Sequence, residues 1–92
     1  MRVTNKKRNK ARDDLAREIE DNGHIDMIEA SVLLRRILAK NQEEFAELVG
    51  VNVMTIKNFE RGKGNPSLKT LEKIFGRYGF EVCLRRKKEI DN

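Results

Sequence analysis

The chain has 92 residues, of which 38% are charged and 5% are aromatic. A chain of this length is too short for two independent cores, and its one core must be thin and aliphatic. Twenty basic against fifteen acidic residues give a net charge of +5, which favours polyanionic partners but also suits an ordinary solvated surface. A single cysteine excludes an internal disulfide and a cysteine-based zinc site, and a single histidine excludes paired histidine ligands.

The sequence offers neither a membrane segment nor a catalytic constellation. No apolar run approaches the roughly 18 residues of a membrane span, and the first residues lack the apolar core of a signal peptide. Neither serine, Ser31 or Ser67, has a nearby histidine, and His24 lies in a predicted turn. The stretch 62–64 follows a helix end instead of a strand, so it is not a phosphate loop. We therefore expect a cytoplasmic protein that is not an enzyme, with no metal and no cofactor.

Residues 1–25 predict a basic arm and an amphipathic N-terminal helix. Residues 1–12 carry six positive and no negative charges, whereas residues 13–29 carry seven acidic residues and one basic residue. The basic block is either a solvated tail or an arm that follows the DNA backbone. A narrow apolar stripe at spacing four predicts a helix from about residue 7 to 21: Ala11, Leu15 and Ile19. Such a stripe must pack on its own domain or on a partner.

The next two segments predict helices of a helix-turn-helix. Asp26 and Glu29 form a capping-box pair that opens a helix running to about Lys40. Residues 41–63 then predict two short helices joined by a tight turn that needs a glycine. The residues that define these two helices are the caps Asn41, Glu44 and Asn52, the turn residue Gly50, the buried plug Val51, and the inward pair Ile56 and Phe59. The second helix is the candidate reader of a DNA major groove.

The remaining residues predict one more helix and a strand. Asn65 is expected to cap that helix and Pro66 to occupy its first position, and Gly79 ends it. Its inward face is predicted from four residues: Leu68, Leu71, Ile74 and Phe75. Residues 80–86 then alternate in the pattern of a half-buried strand, with Phe80, Val82 and Leu84 on one side. Residues 87–92 form a basic and polar tail.

A lone strand leaves unpaired edges, and pairing with its copy in a second subunit satisfies them. We therefore expect a two-fold dimer with residues 80–86 at its seam. The alternative is a strand that hooks back onto its own chain near the N-terminus.

The stretch from about Leu33 to Arg86 resembles the Xre-type helix-turn-helix family, which contains phage Cro and repressor proteins. Within it, the run ERGKGNPSLKTLEKIFGRYGFEV is most similar to HipB-type antitoxins. The resemblance implies an all-α domain of four to six helices, with residues 26–79 as the DNA-binding domain and 80–86 as a dimerisation strand. It covers a little over half of the chain.

The same resemblance implies which residues contact DNA. The base-facing positions are Val53, Met54, Lys57 and Asn58. The positions that face the DNA backbone are Gln42, Thr55, Arg61 and Lys63. The family usually has polar residues where this chain has Val53 and Met54. These two side chains cannot hydrogen-bond, but they can contact thymine methyl groups. The alternative is that they pack on a partner protein, in which case specificity would come from DNA shape. Arg61 has a second interpretation, the capping of its own helix.

The resemblance also implies an ion pair between Glu60 and Arg35, which would fix the recognition helix on the first helix of the domain. Its functional implication is a homodimeric repressor that binds a double-stranded operator and serves as antitoxin of its own operon. The toxin would be a HipA-like kinase or a HigB/RelE-like ribonuclease. The N-terminal helix is the candidate surface for the toxin, because it is amphipathic and the resemblance does not account for it. The alternatives are a phage or mobile-element repressor without a toxin, and an interaction module with weak DNA specificity.

Overall fold

Five α-helices and a short 3-10 turn make up residues 3–38 and 41–84, which are the residues that this computed structural model describes. The elements are α1 (Asn5–Asn22), α2 (Met27–Leu38), α3 (Gln42–Val49), α4 (Val53–Glu60), α5 (Leu68–Phe75) and the 3-10 turn Gly76–Tyr78. The expected all-α architecture with four to six helices is confirmed. None of the described helices is long and apolar enough to cross a membrane.

Most helix ends lie where the sequence predicted them. Asn41 and Glu44 form the complete capping box of α3, because each side chain accepts from the other residue's backbone N–H. Asn52 caps α4 by accepting from the backbone N–H of Met54 at 2.7 Å. Asp26 accepts from two N–H groups in the first turn of α2. The predicted end of α2 at about Lys40 lies outside the described residues.

Helix α1 packs on its own domain. Ala11 and Leu15 are buried, Ile19 is half-buried, and α1 lies against α2. The apolar stripe is therefore covered by α2 and the rest of the core, so it is not free to bind another protein. The helix begins at Asn5, which places the basic residues from Lys6 to Arg12 on its first two turns.

The predicted start of α5 is wrong. Asn65 and Pro66 precede the helix, and Ser67 is its cap, with a hydroxyl that accepts from the backbone N–H of Thr70 at 3.1 Å. A residue before proline is disfavoured in helical conformation, so Asn65 stays in the loop and the serine hydroxyl meets the first free N–H groups. Leu68 is the first residue of α5, and at that end of the helix it is 58% exposed, so it is not part of the buried face.

The rest of the predicted inward face of α5 joins the core. Leu71, Ile74 and Phe75 are buried together with Tyr78 of the 3-10 turn. Gly79 follows with φ of 88°, a conformation that glycine adopts without steric cost, and it ends the turn. The 3-10 turn lies against α1, and Lys73 and Arg77 of this C-terminal unit reach the end of α3.

The C-terminal segment carries no strand within its described part, which ends at Leu84. Phe80 is half-buried and packs on the core, whereas Val82 is 36% and Leu84 100% exposed. Residues 80–83 line a cleft beside the end of α1 and the start of α2, without a ladder to either. Dimer pairing of this segment stays a prediction, and residues 85–92, including the predicted tail, lie outside the described residues.

Candidate nucleic-acid interface

Helices α3 and α4 are joined by a three-residue turn with a left-handed glycine. Gly50 has φ of 78°, and its N–H and that of Val51 both donate to the Ala46 carbonyl, at 2.9 and 3.0 Å. Val51 is half-buried against the core. Because Asn52 starts α4 directly after this turn, the angle between the two helices is set by backbone hydrogen bonds. This is the geometry of a helix-turn-helix.

Helix α4 has a buried face and an outward face. Ile56 and Phe59 are buried, as predicted. Met54 is 51% exposed and lies at the centre of the outward face, since it is on the side of the helix opposite Ile56. Lys57 and Asn58 flank it and are partly exposed. These three side chains lie together on the outward face of α4.

Two of the predicted contact residues lie at the edges of that face. Val53 is half-buried and packs against the core, so it presents only part of its side chain. Thr55 is half-buried on the opposite flank, where it lines a cleft with the loop before α5. The structure therefore brings Met54, Lys57 and Asn58 together and places Val53 beside them.

A hydrogen-bonded network holds α4 against two other helices. Arg35 of α2 donates to both carboxylate oxygens of Glu60, with Nε–Oε2 at 2.6 Å and Nη2–Oε1 at 3.2 Å. The two side chains are 15% and 11% exposed. Gln42 of α3 donates its carboxamide N–H to the same carboxylate, with Nε2–Oε1 at 3.1 Å. Three helices thus meet at one carboxylate, in a bidentate, charge-assisted arrangement.

The bond from Gln42 was not predicted. The resemblance implies a phosphate contact for this residue, and the structure shows that one amide hydrogen is already donated to Glu60. A carboxamide has a second hydrogen, so Gln42 can still donate to a backbone phosphate at the start of α3. The contact between Gln42 and Glu60 could not be predicted from local sequence spacing, because the two residues are 18 positions apart and lie on different helices.

The charges around α4 are mostly positive. The Lys57 ammonium lies 4.0 Å from a carboxylate oxygen of Glu43, which is 68% exposed. A contact of this length on an exposed pair is weak, so Lys57 is free to reach toward DNA. Arg61 and Lys63 are exposed at the end of α4. The backbone N–H of Arg61 donates to the Lys57 carbonyl, so this carbonyl at the end of α4 is satisfied by the backbone of Arg61 and not by its side chain.

The loop after α4 packs back on the helix. Gly62 and Gly64 have φ of 75° and 80°, and between them the N–H of Lys63 donates to the Asn58 carbonyl at 2.8 Å. A Cβ on Gly64 would lie 3.7 Å from the Cβ of Asn58. The two left-handed glycines thus fold the loop back on α4, and Lys63 and Asn58 line the same cleft beside the helix.

Cations from the C-terminal unit cap the end of α3. Arg77 donates from Nη1 to the Leu48 carbonyl at 2.7 Å, and the Lys73 ammonium lies 3.4 Å from the Gly50 carbonyl. Positive groups at a helix C-terminus stabilise its free carbonyls and its dipole. The α3–α4 turn is therefore fastened to α5 and the 3-10 turn, which sequence reasoning missed. Among the described residues no group of His, Cys, Asp or Glu could hold a metal ion.

The comparisons with known proteins agree with this geometry. The model of a helix-turn-helix family matches residues 33–83, which is more than half of the chain. Neither a curated protein nor a solved structure matches the chain. The matched residues include α3, its turn and α4, and the family is one of DNA-binding domains and not of enzymes. The chain belongs to the Xre-type helix-turn-helix family and is a DNA-binding transcription regulator.

Proposed function

We propose that the protein is a sequence-specific repressor that binds a palindromic operator as a homodimer and reads it with α4. The observation that supports this most is the placement of Met54, Lys57 and Asn58 on one exposed face of a helix that the Arg35–Glu60 pair fixes in place. Half-sites one helical turn apart, roughly 34 Å, would suit two such helices related by a two-fold axis.

In the proposed readout, each outward side chain of α4 contacts a different group of the DNA. Asn58 pairs with adenine through its amide, and Lys57 reaches guanine acceptors. Met54, with half of its surface exposed, contacts a thymine methyl, and Val53 borders the same contact. Gln42, Thr55, Arg61 and Lys63 bind backbone phosphates around this face and set its register.

A test compares binding to the DNA upstream of the gene with binding to scrambled DNA, at low and physiological salt. We expect a preference for the upstream DNA that survives the higher salt, and Asn58→Ala should reduce it by about 1–3 kcal/mol. Asn22→Ala, at the exposed acidic end of α1, is the matched control and should change nothing. Equal affinity for both DNAs, fading together as salt rises, would contradict specific readout.

The proposed dimer uses residues 80–86. The exposed Val82 and Leu84 are apolar side chains that a second copy would cover. Cys83 is exposed, is the only cysteine in the chain, and lies at the midpoint of 80–86. An antiparallel pair centred on the two-fold axis therefore places the two Cys83 side chains opposite each other.

That pairing can be measured directly. Mild oxidation of the dilute protein should give a covalent dimer that Cys83→Ser cannot form. Leu84→Lys should shift the protein to monomer in sedimentation, because it would place a charge in the seam. A wild-type protein that stays monomeric at the concentrations where it binds DNA would overturn the dimer.

The antitoxin role rests on the resemblance of residues 60–82 to HipB-type antitoxins. Because the apolar stripe of α1 is buried in its own domain, a toxin would have to contact the exposed, acidic side of that helix. Copurification with the product of an adjacent kinase-like or ribonuclease-like gene tests this role. If reversing the charge of Asp13 and Glu20 abolishes the complex and DNA binding is retained, the acidic side of α1 is the toxin-binding surface. If no complex forms with the wild-type protein, the protein is a repressor without a toxin.

A further inference from the structure

An apolar cleft of about 280 Å³ lies where the end of α1, the start of α2 and the C-terminal segment meet. Its lining is mostly aliphatic and aromatic, and it includes Ile19, Ile25, Met27 and Val82. Met27, the first residue of α2, is 45% exposed there. The cleft is smaller than the roughly 300–1,000 Å³ of pockets that enclose small ligands, so its size suits a side chain of another polypeptide.

Leu84 is the apolar side chain that nothing in its own chain covers. It follows Cys83, which lines the cleft, and it is fully exposed. Met27, Val82 and Leu84 are three of the five large apolar side chains that are exposed in the described part of the chain. Exposed apolar side chains that are grouped in this way mark an interaction surface.

The size of the proposed dimer interface favours a second copy of this chain as the partner. The segment 80–86 gives only seven residues on each side, whereas a stable interface of standard size has about 20–30. The dimer therefore needs further surface next to this segment. The cleft adjoins the segment and is apolar, and residues 80–83 form one of its walls.

The register of the proposed pair brings Leu84 of one copy to the cleft of the other. In an antiparallel pair centred on Cys83, residue 84 of one chain lies opposite Val82 of the other. Opposite residues project from the same face of a two-stranded sheet. Phe80 packs on the core, so the alternation of an extended segment places Val82 on the face toward the core and the cleft. Leu84 of the second copy therefore projects toward the cleft beside Val82.

The charges of the segment agree with this register. Glu81 is exposed, and in a pair centred on Cys83 it lies opposite residue 85 of the second copy. Residue 85 is an arginine, outside the described residues, so the register pairs opposite charges twice in each dimer. Centring the pair on Val82 would instead place Glu81 opposite Cys83, without a partner of opposite charge.

We propose that the Leu84 side chain of each copy is buried in this cleft of the other copy, where it contacts Met27 and Val82. The inference rests on the proposed dimer and identifies the surface that receives Leu84. Two-fold symmetry forms the contact twice, so each dimer covers both Leu84 side chains and both clefts.

Sedimentation equilibrium of the full chain tests the contact by measuring the dimer dissociation constant. Leu84→Ala should raise it by about a hundredfold or more, because each dimer loses two buried side chains. Met27→Ala should raise it by about tenfold or more. In the double variant the two losses should not multiply, because both substitutions remove the same contact. Leu68→Ala shortens another exposed leucine, on α5 and outside the cleft, and should dimerise as the wild type does.

The outcomes separate this contact from the dimer itself. A wild-type protein that stays monomeric would overturn both. If the wild type dimerises and Met27→Ala leaves its dissociation constant unchanged, the dimer stands and the cleft does not receive Leu84. Losses that multiply in the double variant would also contradict the contact. Reduced thermal stability of Leu84→Ala at concentrations where the protein is monomeric would show that Leu84 packs within its own chain, which would overturn the contact as well.

Discussion

The carboxamide nitrogen of Gln42 lies 3.1 Å from Oε1 of Glu60, and Arg35 donates to both oxygens of that carboxylate. Each of the three residues belongs to a different helix, α3, α4 and α2 respectively. One carboxylate therefore fixes the recognition helix on the first helix of the domain and on the helix before the turn. The arrangement ties the stability of the domain to the orientation of its DNA-reading face.

Glu60→Ala should lower the free energy of unfolding by about 3 kcal/mol, because it leaves the Arg35 charge partly buried without its partner. The figure is at the lower end for buried pairs, since the two side chains keep 15% and 11% of their surface. Urea denaturation measures it. Glu72→Ala, an exposed carboxylate on α5, should change stability by no more than about 0.5 kcal/mol. If Glu60→Ala left both stability and DNA binding unchanged, the network would have no structural role.

A pair of serine substitutions should have opposite effects. Ser31 is fully buried, and its hydroxyl has no hydrogen-bond partner among the described residues. Ser31→Ala removes that unsatisfied group and improves helix propensity, so it should stabilise the protein by about 1 kcal/mol. Ser67→Ala removes the cap of α5 and should destabilise by about 1 kcal/mol. Thermal unfolding compares them, and a loss of stability in Ser31→Ala would show that its hydroxyl is satisfied.

The short-range features of the fold could be predicted from the sequence. The capping box of Asn41 and Glu44, the left-handed Gly50 and the cap at Asn52 depend on neighbours within four residues. The start of α5 could not be settled this way, because Asn65 and Ser67 are both good caps two residues apart. Leu68 has the helical spacing of the buried Leu71 and Phe75, so spacing alone does not show that it is 58% exposed at the first position of α5.

The long-range contacts of the fold could not be predicted from local spacing, and they were identified only from the structure or from the family resemblance. Spacing alone does not join Gln42 to Glu60, or Arg77 to the Leu48 carbonyl, since each pair meets only when separate helices pack. The apolar stripe of α1 was correctly identified, but a stripe does not say what covers it.

Removing a cation beside α4 should reduce the salt dependence of DNA binding. Lys63→Ala deletes an exposed ammonium in the loop after α4, and if that group contacts a phosphate the slope of log affinity against log salt falls by about 1. Affinity should fall alike for upstream and scrambled DNA. Arg17→Ala is the control, because Arg17 lies 3.5 Å from Asp14 on the acidic side of α1. An unchanged slope in Lys63→Ala would show that the Lys63 side chain does not contact the DNA backbone.

Tyr78 makes the stability of the protein sensitive to alkaline pH. Burial raises its pKa above 10.0, with Arg77 and Arg8 opposing the shift, so the unfolded chain loses the phenol proton before the folded protein does. As pH rises above about 10, the unfolded state is increasingly favoured, and the free energy of unfolding falls; below that pH the contribution is constant.

The titration can be followed without interference, because Tyr78 is the only tyrosine and there is no tryptophan. The absorbance of tyrosinate should appear at higher pH in the native protein than in denaturant, where the midpoint should be about 10. Arg8→Gln should raise the native midpoint further, since it removes a positive charge that favours the ionised phenol. Arg12→Gln should leave it in place. Coincident native and denatured midpoints would mean that the phenol is fully solvated in the native protein, and the predicted loss of stability above about pH 10 would then be absent.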